Sequence, residues 1–382
     1  APAHDAMKAA GARWGCSWGL EIPLLFAPKD FEETPTLKRS NAFPIVAEEC
    51  RAVRDGVGLL DIAGFSRFEV TGEHAGAYLD RLTAGRLPRA GRARLAPMLG
   101  PDGRLKGDLT IFNWGDGSWW IMGSYYLRQW HMRWFQGHND GSVDIRDISD
   151  ATVGFSLSGP KSRDVLASLT HQDVSHEALP FMGCMSLDVG LIRARVGRLS
   201  VAGELGYEIN CSAAEHITLR EMILEAGAEH GLREYGYYAL DSLRLEKSFG
   251  VWSKEFTQGY TPGMTGMDRW IAFDKGDFVG REAALAESEG AKKPQRLVTL
   301  EVDAEDADAS GYEPVWKDGK RIGFITSGGY GHVVQKSLAM ALVEPQHAQP
   351  GAELTAHIVG VERAVRVIEP SPHDPGGVRM RQ

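Results

Sequence analysis

The chain has 382 residues, 43% of them hydrophobic and 24% charged, an ordinary globular composition with length for two or three domains, each with its own core. Its formal net charge of −9 argues against a nucleic-acid partner, because such proteins carry a basic excess. No apolar run approaches the roughly 18 residues a membrane helix needs, and no charged-then-apolar leader opens the chain, so a soluble, cytoplasmic protein without membrane contact is expected.

Ala1 stands where a methionine would start a primary product, which points to processing or to a longer parent polypeptide. Cys16, Cys50, Cys184 and Cys211 lie far apart and the twelve histidines include no HExxH, so neither a zinc site nor a disulfide framework is suggested and buried thiols are expected.

Residues 1–45, with Trp14, Trp18, Pro23, Phe26 and Pro28, read as an irregular extended arm laid over the body. Helical spacing marks 48–57 and 74–82, with a strand at 67–70 between them. Arg86, Arg89, Arg92 and Arg94, interleaved with Pro88 and Gly91, read as a solvated loop rather than an anion site. Strands follow at 95–99, 108–112 and 119–122, then an aromatic-rich helical stretch at 125–135. The crowded tryptophans Trp114, Trp119, Trp120, Trp130 and Trp134 suit packing.

The order repeats after residue 150: a strand at 152–157, a helix start at Ser158-Gly159-Pro160-Lys161 running to 169, strands near 187–194, 198–201 and 207–210, and a helix at 213–228. Beyond a linker at 288–294 the chain is strand-rich, at 296–302, 313–317, 321–326, 337–343 and 353–358, and predicts a small closed or sandwiched β domain with a tight turn at Lys317-Asp318-Gly319-Lys320. His332, after Ser327-Gly328-Gly329-Tyr330-Gly331, reads as a loop histidine without a task.

The chemically most suggestive stretch is Met98 to Phe112. Pro101-Asp102-Gly103 is a turn signal, and Leu109-Thr110-Ile111-Phe112 is a strand-forming run, which sets Asp108 at the mouth of a hairpin strand. A carboxylate there either faces a pocket, to handle a proton or a developing cation, or is a solvated turn residue.

Several segments together resemble the folate-binding aminomethyltransferase family of the glycine cleavage T-protein, and most of all the C-terminal folate domain of dimethylglycine and sarcosine dehydrogenases. They are Glu48 to Arg54 with Val57-Gly58-Leu59-Leu60-Asp61, Phe68-Glu69-Val70-Thr71-Gly72, Gly107-Asp108-Leu109-Thr110, Leu157-Ser158-Gly159-Pro160-Lys161, Gly203 to Ile209, Leu243-Arg244-Leu245-Glu246-Lys247, Asp274 to Glu282 and Ile325-Thr326-Ser327-Gly328-Gly329, in the family's order.

The resemblance implies an α+β, three-lobed cloverleaf of two α+β domains and a C-terminal all-β domain around a central opening for tetrahydrofolate. Its divisions would be an arm at 1–45, a first domain at 46–150 completed by 236–287, a second at 151–235 and the β domain at 288–382. Asp108 falls on the family's catalytic carboxylate, beside the reactive folate nitrogens. Glu208 falls on the acceptor for the pterin's donor edge, with an outward strand residue as its plainer use, and Tyr207 beside it is expected to bind the cofactor as well. Arg244 falls near the benzoyl-glutamate portion, with a salt bridge to Asp241 or Glu246 as the structural alternative. Trp252 and Phe181 line the cofactor or pack in the core, and Ser124 lies near a folate-contacting asparagine. Leu95 and Val201 replace two folate-contacting tyrosines of T-proteins, and Leu95 agrees with the dehydrogenase-type domains.

Three functions follow from the resemblance. The first condenses formaldehyde, or an iminium from oxidative N-demethylation of a methylated amine, with tetrahydrofolate to give 5,10-methylenetetrahydrofolate. Because no strand–GxGxxG–helix frame is present, it needs a flavin-dependent or other demethylating domain or subunit as partner. The second moves a methyl group from an N-, O- or S-methyl donor to give 5-methyltetrahydrofolate, with Trp252 and Trp270 caging a methylated cation. The third is a non-catalytic folate-binding subunit. No metal is implied.

Overall fold

The computed structural model describes residues 1–290 and 293–382, so the expected linker at 288–294 falls partly outside the described residues. Strand Leu105–Asn113 sets the logic of the first sheet: Leu105, Gly107, Leu109 and Ile111 are buried on one face, so the alternate row with Asp108 and Thr110 faces the other way. Arg92–Leu99, Leu105–Asn113, Trp119–Ser124, Phe65–Thr71 and Asp144–Asp147 pair in that order into a five-stranded antiparallel sheet. Helices Ala75–Leu82 and Arg128–Gly137 cover its apolar face, where Leu79, Leu82 and Phe135 pack with Phe68, Val70, Leu109 and Ile111.

The second sheet has six strands, ordered Cys184–Val189, Ile192–Gly197, Gly206–Ser212, Thr152–Ser158, Gly58–Asp61 and Arg233–Glu234. Helices Ser162–Ser168 and His216–Gly227 pack on it through Val165, Leu166, Leu219 and Ile223. Gly58–Asp61 runs antiparallel to Thr152–Ser158, so a strand from before residue 150 is built into the sheet that follows it, and the chain crosses the division drawn there.

The C-terminal strands close a six-stranded barrel, in which Arg296–Val302 pairs with both Lys336–Val343 and Val361–Ile368. Lys317 pairs with Lys320 across Asp318 and Gly319, whose φ of +48° and +74° make the tight turn that the sequence predicts. Val361–Ile368 escapes the sequence reading because only Val365 and Val367 in it are buried, among Glu362, Arg363 and Arg366.

Other expectations are corrected. The arm is not irregular: it forms helix His4–Ala9 and a hairpin of Ala12–Ser17 with Leu20–Phe26, joined by Trp18 and Gly19 rather than by a familiar Asn-Gly pair. Residues 187–194 straddle a hairpin turn at Gly190, whose φ is +57°, and 198–201 is a loop in which buried Arg198 donates to the Leu179 carbonyl. Asp108 stands three residues inside its strand rather than at its mouth. Cys16 is exposed, while Cys50, Cys184 and Cys211 are buried.

A buried charge cluster ties the units together. Arg54, from helix Phe43–Asp55, donates to Glu204 and to Glu246 at 2.9 Å each, all three at most 1% exposed. Glu204 also meets His373 at 3.1 Å and Arg379 at 2.7 Å from the C-terminal segment.

Candidate functional site

The strand faces left free by this packing surround one large cavity of about 2230 Å³. That is roughly twice the upper end of an ordinary small-ligand pocket. The first sheet supplies Leu95, Asp108, Thr110 and Ser124; the second supplies Glu208, with Phe181 and Val201 from its loops. Helix Tyr237–Leu245 adds Asp241 and Arg244, and the loop after it adds Trp252. Eight of the nine expected residues thus border the same space. Tyr207 does not: strand alternation turns it into the opposite core, 0% exposed, where its hydroxyl accepts from Arg163 at 3.2 Å.

Asp108 and Glu208 share one electrostatic condition. Apart from the backbone N–H of Asp108 itself, neither carboxyl accepts a hydrogen bond among the described residues. Burial pushes both up to about 7; the only opposing influence on Glu208 is the nearby Arg67. Arg67 is 0% exposed and spends its guanidinium on neutral oxygens, donating to Asn210 at 2.8 Å and to the carbonyls of Phe65 and Ile62 at 3.0 Å, so it pulls on Glu208 only through space. Both carboxyls are therefore poised to ionise when a cation or a set of N–H donors arrives.

Arg244 is held differently. Only 1% exposed, it donates from Nε to Asp241 at 2.8 Å, and from Nη1 to Ser327 Oγ at 3.0 Å and the Phe249 carbonyl at 3.2 Å, with Glu255 at 3.6 Å. Ser327 in turn donates to Glu255 at 2.6 Å. Burial alone would raise the Asp241 carboxyl, but Arg244 and Lys254 outweigh it and hold Asp241 below the usual carboxylate range. The structural salt bridge of the sequence reading is present, and it makes Asp241 an ionised group on the cavity wall.

Trp252 is only 3% exposed, packed with Leu99, Leu105, Met267 and Phe278, and approaches His131 edge-on at 6.4 Å; it is core and cavity wall at once. Phe181 carries the Arg381 guanidinium 5.4 Å from its ring centre. Arg86, Arg89 and Arg94 are exposed, as a solvated loop would be, and with half-buried Arg92 they also border the same cavity; Arg92 and Arg94 belong to strand Arg92–Leu99 and not to a loop. His332 packs against Phe43 and Tyr330 and is not among the residues lining the cavity.

Sequence reasoning missed Tyr126, Asp241 and Tyr237 on the wall. The i,i+3 spacing of Asp241 and Arg244 signalled a pair but not that both members border the cavity.

Two features fit a reduced folate. Glu208 is a free acceptor for adjacent N–H groups, and the arginines suit a carboxylate-bearing tail. No group of three or more metal-ligating side chains stands together among the described residues, and no described helix is long and apolar enough to cross a membrane.

Residues 3–275 match the GCVT N-terminal domain family and residues 295–374 the glycine cleavage T-protein C-terminal barrel domain. The chain is 33% identical to mitochondrial dimethylglycine dehydrogenase of Mus musculus over 89% of its own length, but it spans only 40% of that relative. It is 30% identical to an aminomethyltransferase of Geobacillus kaustophilus, covering 85% of this chain and 90% of the other. The crystal structure of glycine cleavage system aminomethyltransferase T from Bartonella henselae superposes with a TM-score of 0.85 at 22% identity, covering 98% of both chains, and shares the fold. With both of its domain families matched in order over one continuous fold, the chain belongs to the glycine cleavage T-protein family of folate-dependent aminomethyltransferases.

Proposed function

We propose that this chain uses tetrahydrofolate to take up a one-carbon unit at the oxidation level of formaldehyde, giving 5,10-methylenetetrahydrofolate. The observation that carries the reading is the pair Asp108 and Glu208: two carboxyls on different sheets, without side-chain hydrogen-bond partners among the described residues, bordering one cavity. Glu208 accepts from the pterin's donor edge, and Asp108 lies beside the folate nitrogens. With formaldehyde, two C–N bonds form and the carbonyl oxygen leaves as water. As an anion, Asp108 stabilises the cationic one-carbon species formed after the first C–N bond, and it then takes the proton of the second nitrogen as the ring closes.

The one-carbon unit comes, in this reading, from oxidative N-demethylation of a methylated amine, carried out by a flavin-dependent domain or subunit. The 40% span of the dehydrogenase relative supports a division of labour of this kind.

The test mixes the purified chain with tetrahydrofolate and formaldehyde, and separately with N-, O- and S-methyl donors, and identifies the folate products. Methylene-folate formed above the uncatalysed rate is the expected result. Formation of 5-methyltetrahydrofolate alone, from a methyl donor, overturns it in favour of a demethylase.

A further inference from the structure

The hairpin turn at Trp18 is an oddity that folding does not explain. Ser17 pairs with Leu20, so Trp18 and Gly19 form a two-residue turn with φ of +53° and +84°. A type I′ turn favours Asn or Gly at its first position, and a bulky side chain held in the left-handed region costs on the order of 1–2 kcal/mol. The side chain is also 70% exposed, so burial does not recover that cost. Val359, at φ +48° in the Val359-Gly360 turn of the barrel, shows that such a residue can also be purely structural, so Trp18 is set apart by what it touches.

The surroundings of Trp18 indicate a use. Trp18 stacks on Tyr126 with ring centres 4.5 Å apart and 16° between planes, and both line the cavity that contains Asp108. Tyr126 is close enough to Asp108 for the carboxylate to help burial push its phenol up to about 12. Aromatic faces attract cations through their negative quadrupole, and a neighbouring carboxylate adds a full opposite charge.

We propose that Trp18 and Tyr126 form an aromatic face that, with Asp108, receives a small methylated ammonium or iminium ion at the mouth of the cavity. The assignment rests on the one-carbon reading of that cavity. It gives the N-terminal hairpin a task, presenting the donor rather than holding the folate.

The test uses choline as a stable methylated cation and 3,3-dimethylbutan-1-ol as its neutral carbon isostere, with binding to the full chain followed calorimetrically. Choline is expected to bind at least tenfold more tightly than the alcohol. Its affinity should fall at least tenfold in Trp18→Ala and in Asp108→Asn, and stay within about twofold of the parent in Trp18→Phe. The tetrahydrofolate dissociation constant should not change in Trp18→Ala. Equal binding of choline and the alcohol, or choline binding that Trp18→Ala leaves intact, overturns the proposal. So does a Trp18→Ala variant that loses tetrahydrofolate instead of choline, since that result assigns the aromatic face to the folate's own rings. Failure of the parent to bind tetrahydrofolate would sink the folate reading, while the choline arm would still decide the aromatic face.

Discussion

Asp108 and Glu208 come from separate sheets and border one cavity, and burial pushes both carboxyls up to about 7. In an unfolded chain such groups titrate near pH 4. Between about pH 4 and 7 the native state therefore binds more protons than the unfolded one. The stability these groups contribute is complete below pH 4 and is lost as pH rises through 7. Asp108→Asn and Glu208→Gln remove that loss. Each should melt above the parent at pH 8, by roughly 2–4 °C for each kcal/mol relieved, with the gain shrinking toward pH 5. Thermal melts across that range check it, and a gain that grows toward acid would contradict the assignment.

In the proposed reaction Asp108 meets the developing positive charge. Asparagine keeps its shape but supplies neither a base nor a full charge, so kcat for methylene-folate formation should fall by about 10²–10³ while tetrahydrofolate affinity stays within a few-fold of the parent. Steady-state kinetics with parallel equilibrium binding separates the two. If binding is normal and the rate is unchanged, Asp108 has no chemical role.

Glu208 should act on affinity instead. Hydrogen bonds to a charged acceptor contribute about 1.5–3 kcal/mol, so Glu208→Gln should weaken tetrahydrofolate binding by about 10–150-fold. A carboxyl poised near 7 must also lose its proton to accept from the pterin. Calorimetry near pH 6.5 in buffers of different ionisation enthalpy should show proton release with the parent and less with Glu208→Gln.

How far this site was legible in the sequence differs from residue to residue. Asp108 and Glu208 were named because each sits in a segment with a family pattern, and strand alternation around Glu208 already separated it from Tyr207 and Ile209. The error at Tyr207 came from treating adjacent strand residues as neighbours in space. The arginines at 86–94 read as solvated because nothing local reveals that a loop and a strand edge border a cavity closed by distant elements. Trp18 was hidden for a different reason, since its turn lacks the residues that usually mark one. In the fold, strong periodicity found most elements, whereas Gly58–Asp61 gave no sign that its partner lay nearly a hundred residues on, at Thr152–Ser158.

The buried triad predicts stability rather than activity. Arg54→Ala would strand Glu204 and Glu246, each at most 1% exposed, with one fewer cation. Breaking such a cluster costs about 3–5 kcal/mol, because the remaining charges stay buried and less compensated. The denaturant midpoint should drop accordingly. Glu204 also loses the guanidinium that orders it toward His373 and Arg379, so proteolysis should open the C-terminal segment earlier than in the parent.

The barrel lines part of the cavity with Leu297, Thr299, Met340 and Val367, and one of its hydroxyls braces the Arg244 pair on the wall. A bulge between Ile325 and Ser327 interrupts the barrel register, and Ser327 donates to Glu255 at 2.6 Å while accepting from Arg244 at 3.0 Å. Ser327→Ala leaves the apolar packing in place but removes both bonds, so Arg244, and with it Asp241, is held by fewer partners. Each bond contributes about 1 kcal/mol, so the melting temperature should fall by a few degrees, and, if the loosened Arg244 lets the wall shift by the same energy, the KM for tetrahydrofolate should rise about five- to thirtyfold with kcat within twofold of the parent. Arg244→Lys, which cannot keep the forked contacts to Asp241 and Ser327 together, should show the same split more strongly. If Ser327→Ala instead lowers kcat with KM unchanged, the Arg244–Asp241 pair acts on the chemistry and not on the binding of folate.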